Sequence, residues 1–473
     1  MNAIVPFAPI LTLSVGSLVY LVTGKLLERT RTASVVALLL VAAALVLVGR
    51  LPDSAPGEFG LIVNSFSRLF GLAAVGGALL SLVATRASLD GEKIEMINEY
   101  YFLILTALSG ALVMIFASDY LTLFIGVEVS SLALYCLCGA RVTVASSAES
   151  SMKYFLLGCF SSAFLLLGIA LWYGATGTLS IVSAGPAPIG NSLVILSFLM
   201  MLVGLAFKVG LAPFHLWVPD VYQGAPTSVT TFMSCVVKVA AIAALIKVSF
   251  LGFSYPAAWA NSALWVMSVL AMTLGNLAAL QQRSVKRMLA YSSVAQAGYM
   301  LIGLVSTHSP AAGVAATAYY LISYCAMTIG AFAVLSIISP DADDISDLRG
   351  LGKRSALLTG CMTIFILGMA GLPPSMAGLM GKLLVFSEAI HSELYGLAII
   401  GVLNSALACA YYFRVPVAML FQAGTSTERI EVSLLTRLAL VVCAAAVVLG
   451  GIYAQPVLEF CQRAAESLTA FDL

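Results

Sequence analysis

Fourteen apolar stretches, each about long enough to cross a bilayer, dominate this sequence and leave it few ways to fold. They run over about 4–24, 33–50, 61–84, 100–117, 119–140, 147–172, 191–222, 226–249, 260–282, 285–305, 311–339, 355–390, 394–420 and 433–454. A hydrocarbon core of about 30 Å takes roughly 20 helical residues, so each stretch is expected to be a transmembrane helix. The fourth and fifth are split only by Ala117-Ser118-Asp119. The tenth is polar for its place, with Tyr291, Ser292, Ser293 and Gln296. The chain is 61% hydrophobic and 10% charged, where a soluble domain carries about 25% charged residues. The expected fold class is an all-α polytopic membrane protein of about 14 transmembrane helices.

Lysine and arginine set the orientation of such a chain, because cytoplasmic loops carry the excess. Loops after odd-numbered stretches hold fourteen of the 23: Lys25, Arg29, Arg31, Arg86, Lys93, Arg141, Arg283, Lys286, Arg287, Arg349, Lys353, Arg354, Arg429 and Arg437. The other side holds Arg50, Arg68 and Arg463. This skew favours an even number of crossings, with both termini on the periplasmic side of a bacterial inner membrane. The net charge of +1 gives no reason to expect nucleic acid. Nine cysteines sit almost all in apolar runs, where they read as small packing residues. No metal-ligand spacing, phosphate loop, haem-attachment motif or iron–sulfur cysteine set is visible. No cleavage site follows the first stretch, so no removable signal peptide is expected.

Two stretches are too long for one straight helix. The 32 residues of 191–222 would run about 48 Å. Within them lies Lys208–Pro226, KVGLAPFHLWVPDVYQGAP, with Lys208, His215 and Asp220 around Pro213. Proline has no N–H for the carbonyl of Val209 and crowds it, so the break is placed at Pro213. The second long stretch, 355–390, holds Gly371-Leu372-Pro373-Pro374 and then Lys382. The breaks lie five stretches apart. Paired interrupted helices point to an inverted repeat with ion sites near the midplane. The expected division is therefore 1–99 (helices 1–3), 100–249 (first five-helix repeat), 260–420 (second repeat) and 421–473 (helix 14 and a tail).

Charged side chains at membrane depth are costly and read as functional. Glu128 lies in LTLFIGVEVSSLALY with no basic neighbour within a turn, and Lys208 is its expected partner. Buried lysines exchange protons far more readily than solvated ones, which makes Lys208, Lys238 and Lys382 candidate proton carriers. Lys153 opens the sixth stretch, where it either transfers protons or snorkels to the interface. His215 is a candidate relay, because imidazole passes a proton through its two nitrogens. A purely structural role, as helix-to-helix ion pairs, remains the alternative for all of these. Lys247 reads as a snorkelling anchor and Arg414 as structural or electrostatic. His308 and His391 fall in outer loops.

The runs KYFLLGCFSSAFLLLGIALWYGATGTL (153–179), FHLWVPDVYQGAP (214–226), KRMLAYSSVAQAGY (286–299) and ISDLRGLGKRS (345–355) resemble the subunit N family of bacterial NADH–quinone oxidoreductase, respiratory complex I. The likeness covers about Tyr100 to Arg437. It implies a fourteen-helix, antiporter-like subunit of a membrane arm, with sister antiporter-like subunits and lipid as neighbours. It places the family's proton-transfer residues on Glu128, Lys208, Lys238, Lys382, His215 and Lys153. It implies no cofactor in this chain, with NADH, FMN, iron–sulfur clusters and quinone elsewhere in the complex. Many relatives carry histidine where this chain has Gln296. Glutamine cannot change its protonation state, so water with Tyr291, Ser292, Ser293 and Tyr299 is expected to carry the proton there. The function expected from the likeness is that of a proton-translocating subunit of a translocase with no redox site of its own. The alternatives are a subunit of a multi-subunit sodium/proton antiporter, of a membrane-bound hydrogenase or ferredoxin-dependent complex, or a structural spacer.

Overall fold

The structure is a computed structural model. It describes all residues except 1, 24–29, 55–59, 90, 93, 183–190, 253–257, 307, 339–342, 425–427 and 470–473. Of the loop cations counted above, Lys25, Arg29 and Lys93 lie outside the described residues.

The helices in chain order are α1 (Ala8–Thr23), α2 (Thr30–Arg50), α3 (Ser65–Thr85), α4 (Ile97–Phe116), α5 (Tyr120–Cys138) and α6 (Ala145–Thr176). They continue with α7 (Ser192–Val209), α8 (Trp217–Gly224), α9 (Thr227–Leu251), α10 (Ala258–Leu280), α11 (Val285–Val305) and α12 (Pro310–Ile338). The last are α13 (Ala356–Ala370), α14 (Met376–His391), α15 (Tyr395–Phe421), α16 (Leu434–Ile452) and α17 (Ala454–Thr469). Among the described residues, thirteen helices are long and apolar enough to cross a membrane. The twelfth apolar stretch is built differently, from the two half-helices α13 and α14.

Local sequence explains several boundaries. Asp119 caps α5 by accepting the Thr122 N–H at 2.7 Å, which separates α4 from α5 despite the three-residue link. Asn64 and Ser67 form a reciprocal capping box at the start of α3. Ser284 caps α11 and Ser355 caps α13. The tail expected after helix 14 is instead a helix, α17. It buries Cys461, Ala464, Ala465 and Leu468 along one face and packs against α3 and α12. Its Ser467 hydroxyl accepts the Phe66 N–H at 3.0 Å.

α9 lies wholly inside the protein, and α11 nearly so. Close helix pairs flank them. Gly110 on α4 and Gly126 on α5 let those backbones meet, since a Cβ at either would lie 2.5–2.6 Å from the opposite backbone nitrogen. Gly275 on α10 and Gly298 on α11 do the same for their pair. Alternate loops gather at opposite ends of the bundle. The links after α5, α10 and α12 share one end, where Ser284 and Gln223 both bond Asp343. The links after α2, α4 and α6 share the other, through bridges Leu61 to Ala117 and Asp119 to Ser180.

Candidate functional site

The three lysines picked out from the sequence are each only 3–4% exposed, and none sits on a carboxylate among the described residues. Lys208, in the last turn of α7, donates from Nζ to Ser131 Oγ at 2.5 Å and to Tyr154 OH at 3.4 Å. Its ammonium also lies over the Tyr154 ring, 5.4 Å from the centroid. The direct Glu128–Lys208 ion pair expected from the sequence is absent, with no contact within 4.0 Å. The reason is local. Ser131, one turn beyond Glu128 on α5, takes the ammonium, while Glu128 accepts a hydrogen bond from Ser162 on α6.

The break after Lys208 also begins earlier than expected. α7 stops at Val209 because Gly210 turns left-handed, at φ +82°. Gly210 N–H returns to Ala206 and Phe207, and Leu211 N–H to Ala206 at 2.8 Å, a glycine-terminated helix end. Pro213 lies beyond that end, so it does not leave the Val209 carbonyl stranded inside a helix. Trp217 Nε1 satisfies the Phe207 carbonyl at 2.9 Å. The second break repeats the device. Gly371 has φ +84°, and Leu372 N–H returns to Leu367 at 2.9 Å. Pro373 and Pro374 again follow the glycine rather than making the stop.

At the second break, the end of α13 is capped by side chains. Lys382 on α14 donates to the Ala370 carbonyl at 2.9 Å and to Ser405 Oγ at 2.8 Å, with its Nζ 4.8 Å over the Tyr299 ring. The neighbouring Met369 carbonyl accepts from Gln296 Nε2, also at 2.9 Å. Gln296 thus reaches one residue from the carbonyl that holds Lys382. It also donates to Tyr412 OH at 3.1 Å and accepts from Tyr320 OH. Tyr412 is hydrogen-bonded to Ser292. The adjacent residue, Ser293, receives Lys238 Nζ through its carbonyl at 2.7 Å and its hydroxyl at 2.9 Å. A run of hydroxyl and amide groups therefore spans the space between Lys238 and Lys382. Tyr299 belongs to a side branch, accepting from Asn276, which in turn accepts from Tyr411 at 3.0 Å.

His215 is buried in the link between α7 and α8. Its Nδ1 has no hydrogen-bond partner, and its ring faces Tyr291 edge-on at 6.4 Å. Lys153 is not in this interior. It bridges Glu149 and Asp220, at 2.7 Å each, near one end of the bundle. Arg287 completes the cluster by bonding Asp220 at 2.6 Å. These four residues line an open cavity of about 300 Å³ together with Arg141 and Lys286. The structure thus groups Lys208 with the Glu128 region, Lys238 with Ser293, and Lys382 with Gln296, and sets Lys153 and Asp220 at the mouth.

Lys247 and Glu92 are buried charges whose roles differ from what the sequence suggests. Lys247 is not a snorkelling anchor. It is 1% exposed and donates to the carbonyls of Ile115 and Ala117, which closes the C-terminal end of α4. Snorkelling needs a lipid-facing helix, and α9 has no such face. Glu92, between α3 and α4, is fully buried and accepts the Ser228 N–H at 3.0 Å and the Ser228 hydroxyl at the start of α9. Burial pushes its carboxyl up; the Ser228 hydrogen bonds and the charges of Lys286 and Arg141 pull the other way. Arg414 donates to the carbonyls of Leu280 and Gln282, a structural clamp on the end of α10.

Residues 117–408 match the family profile described as NADH:quinone oxidoreductase/Mrp antiporter, TM. NADH-quinone oxidoreductase subunit N of Trichlorobacter lovleyi is 40% identical over 413 residues, which is 85% of this chain and 84% of that protein. A chain of respiratory complex I from Thermus thermophilus, solved with bound aureothin, is 35% identical and superimposes with a TM-score of 0.83 over 95% of this chain and 98% of its own. A chain of the membrane-bound sulfane sulfur reductase, an archaeal respiratory membrane complex, is 26% identical with a TM-score of 0.88, covering 99% of this chain and all of that one.

Proposed function

The chain belongs to the NADH:quinone oxidoreductase/Mrp antiporter family of transmembrane subunits, and from that membership we propose that it moves protons as an antiporter-like subunit in the membrane arm of a complex I. Its partners are other membrane-arm subunits. Electron transfer takes place elsewhere in the complex, where the NADH, FMN, iron–sulfur and quinone sites lie, and not in this chain. The basic loops face the cytoplasm across a bacterial inner membrane, and both termini face the periplasm.

The observation that carries this reading is the set of three buried lysines, Lys208, Lys238 and Lys382, each held by neutral oxygen atoms. An ammonium among neutral acceptors can give up its proton without leaving an orphan carboxylate. Glu128, bonded to Ser162, sets the charge felt by Lys208 through Ser131. His215 and water link Lys208 to Tyr291 and onward. Ser292, Ser293, Gln296 and Tyr412 carry the path between Lys238 and Lys382, and Tyr299 lies under Lys382. Lys153 and Asp220 pass protons at the charged mouth.

The division into 1–99, 100–249, 260–420 and 421–473, with two inverted five-helix repeats, belongs to the same proposal. Two features support it. Gly-Leu-X-Pro follows the last residue of both α7 and α13. Glycine-mediated close pairs open both units, α4 with α5 and α10 with α11.

The test is Lys208→Ala and Glu128→Ala in the whole complex, reconstituted in vesicles. Both are expected to assemble, to slow quinone reduction and to lower proton pumping. Either variant pumping at the wild-type rate and proton-to-electron ratio would show that the group is not on the path and favour a structural spacer.

A further inference from the structure

A second open cavity, on the same end of the bundle as Lys153, is lined by none of the residues assigned to the proton path. Arg283, Arg349 and Arg414 line it, with Val417, Gln422 and Asp344. Three guanidiniums face one carboxylate. Asp344 is already engaged, because it accepts the Ser346 N–H at 2.8 Å in a local capping box. Those bonds and the Arg283 and Arg349 charges hold its carboxyl below the usual range. Among the described residues, Arg283 and Arg349 make no ion pair within 4.0 Å. Arg414 is fixed in place by its two carbonyl acceptors. The cavity therefore presents unneutralised positive charge around one pinned guanidinium, a fit for an anionic oxygen cluster.

The flank of the cavity says what carries that anion. Arg414, Val417 and Phe421 lie at helical spacing on one face of the last turns of α15. Phe421 is 81% exposed, and Leu420 beside it is also exposed. Here α15, a membrane-spanning helix, reaches its end. A free anion would satisfy the arginines and leave the phenylalanine bare. A phospholipid brings a phosphate and apolar chains together. Basic pockets between transmembrane helices on the cytoplasmic side are suited to such head groups.

We propose that this cavity binds the phosphate of an anionic phospholipid, with Arg283, Arg349 and Arg414 on the head group and Val417 and Phe421 along an acyl chain. The test uses the whole complex, stripped by mild detergent and then incubated with vesicles of phosphatidylcholine containing phosphatidylglycerol. Native mass spectrometry counts the phosphatidylglycerol retained after washing. The wild-type complex is expected to keep more molecules than Arg349→Gln, and the Arg283→Gln/Arg349→Gln double variant to lose the difference entirely. Phe421→Ser, with every arginine intact, is expected to weaken retention as well. Arg349 and Phe421 are exposed, so these single changes leave the core intact. Equal retention by wild type and both single variants overturns the proposal. So does complete displacement by inorganic phosphate, which would mark a free-anion site. Cross-linking of Arg349→Cys to an acidic segment of a neighbouring subunit, with no lipid retained, would assign the cavity to a protein contact instead.

Discussion

Gly210→Ala is the sharpest test of how the first helix break is made. Gly210 holds φ +82°, ψ 39°, a left-handed conformation that costs an alanine about 1–2 kcal/mol. The added Cβ would also lie 2.9 Å from Val218 Cγ2, closer than real Cβ contacts, so Val218 must shift. The alternative open to the variant is to continue α7 through residue 210. That would break the return of Leu211 N–H to Ala206 and pull the Phe207 carbonyl from Trp217. Lys208, two residues before the glycine, would then be displaced from Ser131. If the whole strain falls on the working conformation, about 1–2 kcal/mol corresponds to a fall of roughly 5–30-fold in its population. Quinone reductase turnover and proton uptake into vesicles, measured on assembled complex, are expected to fall together within that range. Gly174→Ala is the control, since a Cβ there meets nothing within 4 Å. Wild-type turnover and pumping in Gly210→Ala, or an equal loss in Gly174→Ala, would refute the reasoning.

Other changes separate structural from conducting groups. Lys247→Met strips the cap from the Ile115 and Ala117 carbonyls. Each buried acceptor left unsatisfied costs about 1–3 kcal/mol, so the variant is expected to assemble poorly or melt earlier while its proton-to-electron ratio holds. Gln296→Leu removes the link between Tyr320, Tyr412 and the Met369 carbonyl. It is expected to slow pumping with assembly intact, and Gln296→His to restore most of the rate. A Gln296→Leu complex that pumps normally would take these hydroxyls off the path.

The outline of this fold was legible because membrane helices announce themselves by length and hydrophobicity, and charged residues inside them stand out. Lys208, Lys238 and Lys382 were found in this way, and all three prove buried. What holds each of them was not legible. Ser131, Ser293 and Ser405 are three serines among many, and only the packing of α5, α11 and α15 decides which of them meets an ammonium. The breaks were seen at the right places but assigned to the wrong residues. Proline was the louder signal, yet the glycine three residues before Pro213 stops the helix. Lys247 was misread because the sequence does not say which apolar helix is central. Once α9 is surrounded on all sides, a lysine near its end cannot reach lipid. Residues 454–469 read as a tail because their apolar positions recur only on one face, and the partners of that face, α3 and α12, lie far away in sequence.

The separation of Glu128 from Lys208 bears on how such a subunit would switch. Two opposite charges in direct contact inside a protein hold each other firmly, and removing one leaves the other stranded at a cost of about 3–5 kcal/mol. Lys208 instead leans on a hydroxyl, and on the proposed function Glu128 acts on it from beyond contact distance. Charges about 8 Å apart at an effective dielectric constant of about 20 interact by roughly 2 kcal/mol. Gaining or losing such an influence shifts a protonation equilibrium by about thirtyfold, which is large enough to drive a proton and small enough to be reversed each turnover. Lys238 and Lys382 likewise rest on neutral acceptors alone. On the proposed function, each lysine is poised for a neighbour's charge to decide its state. Glu128→Gln should therefore alter pumping about as strongly as Glu128→Ala, since both remove the charge and only one removes the hydrogen bond with Ser162. Near-normal pumping in Glu128→Gln would show instead that the bond to α6, and not the charge, is what Glu128 supplies.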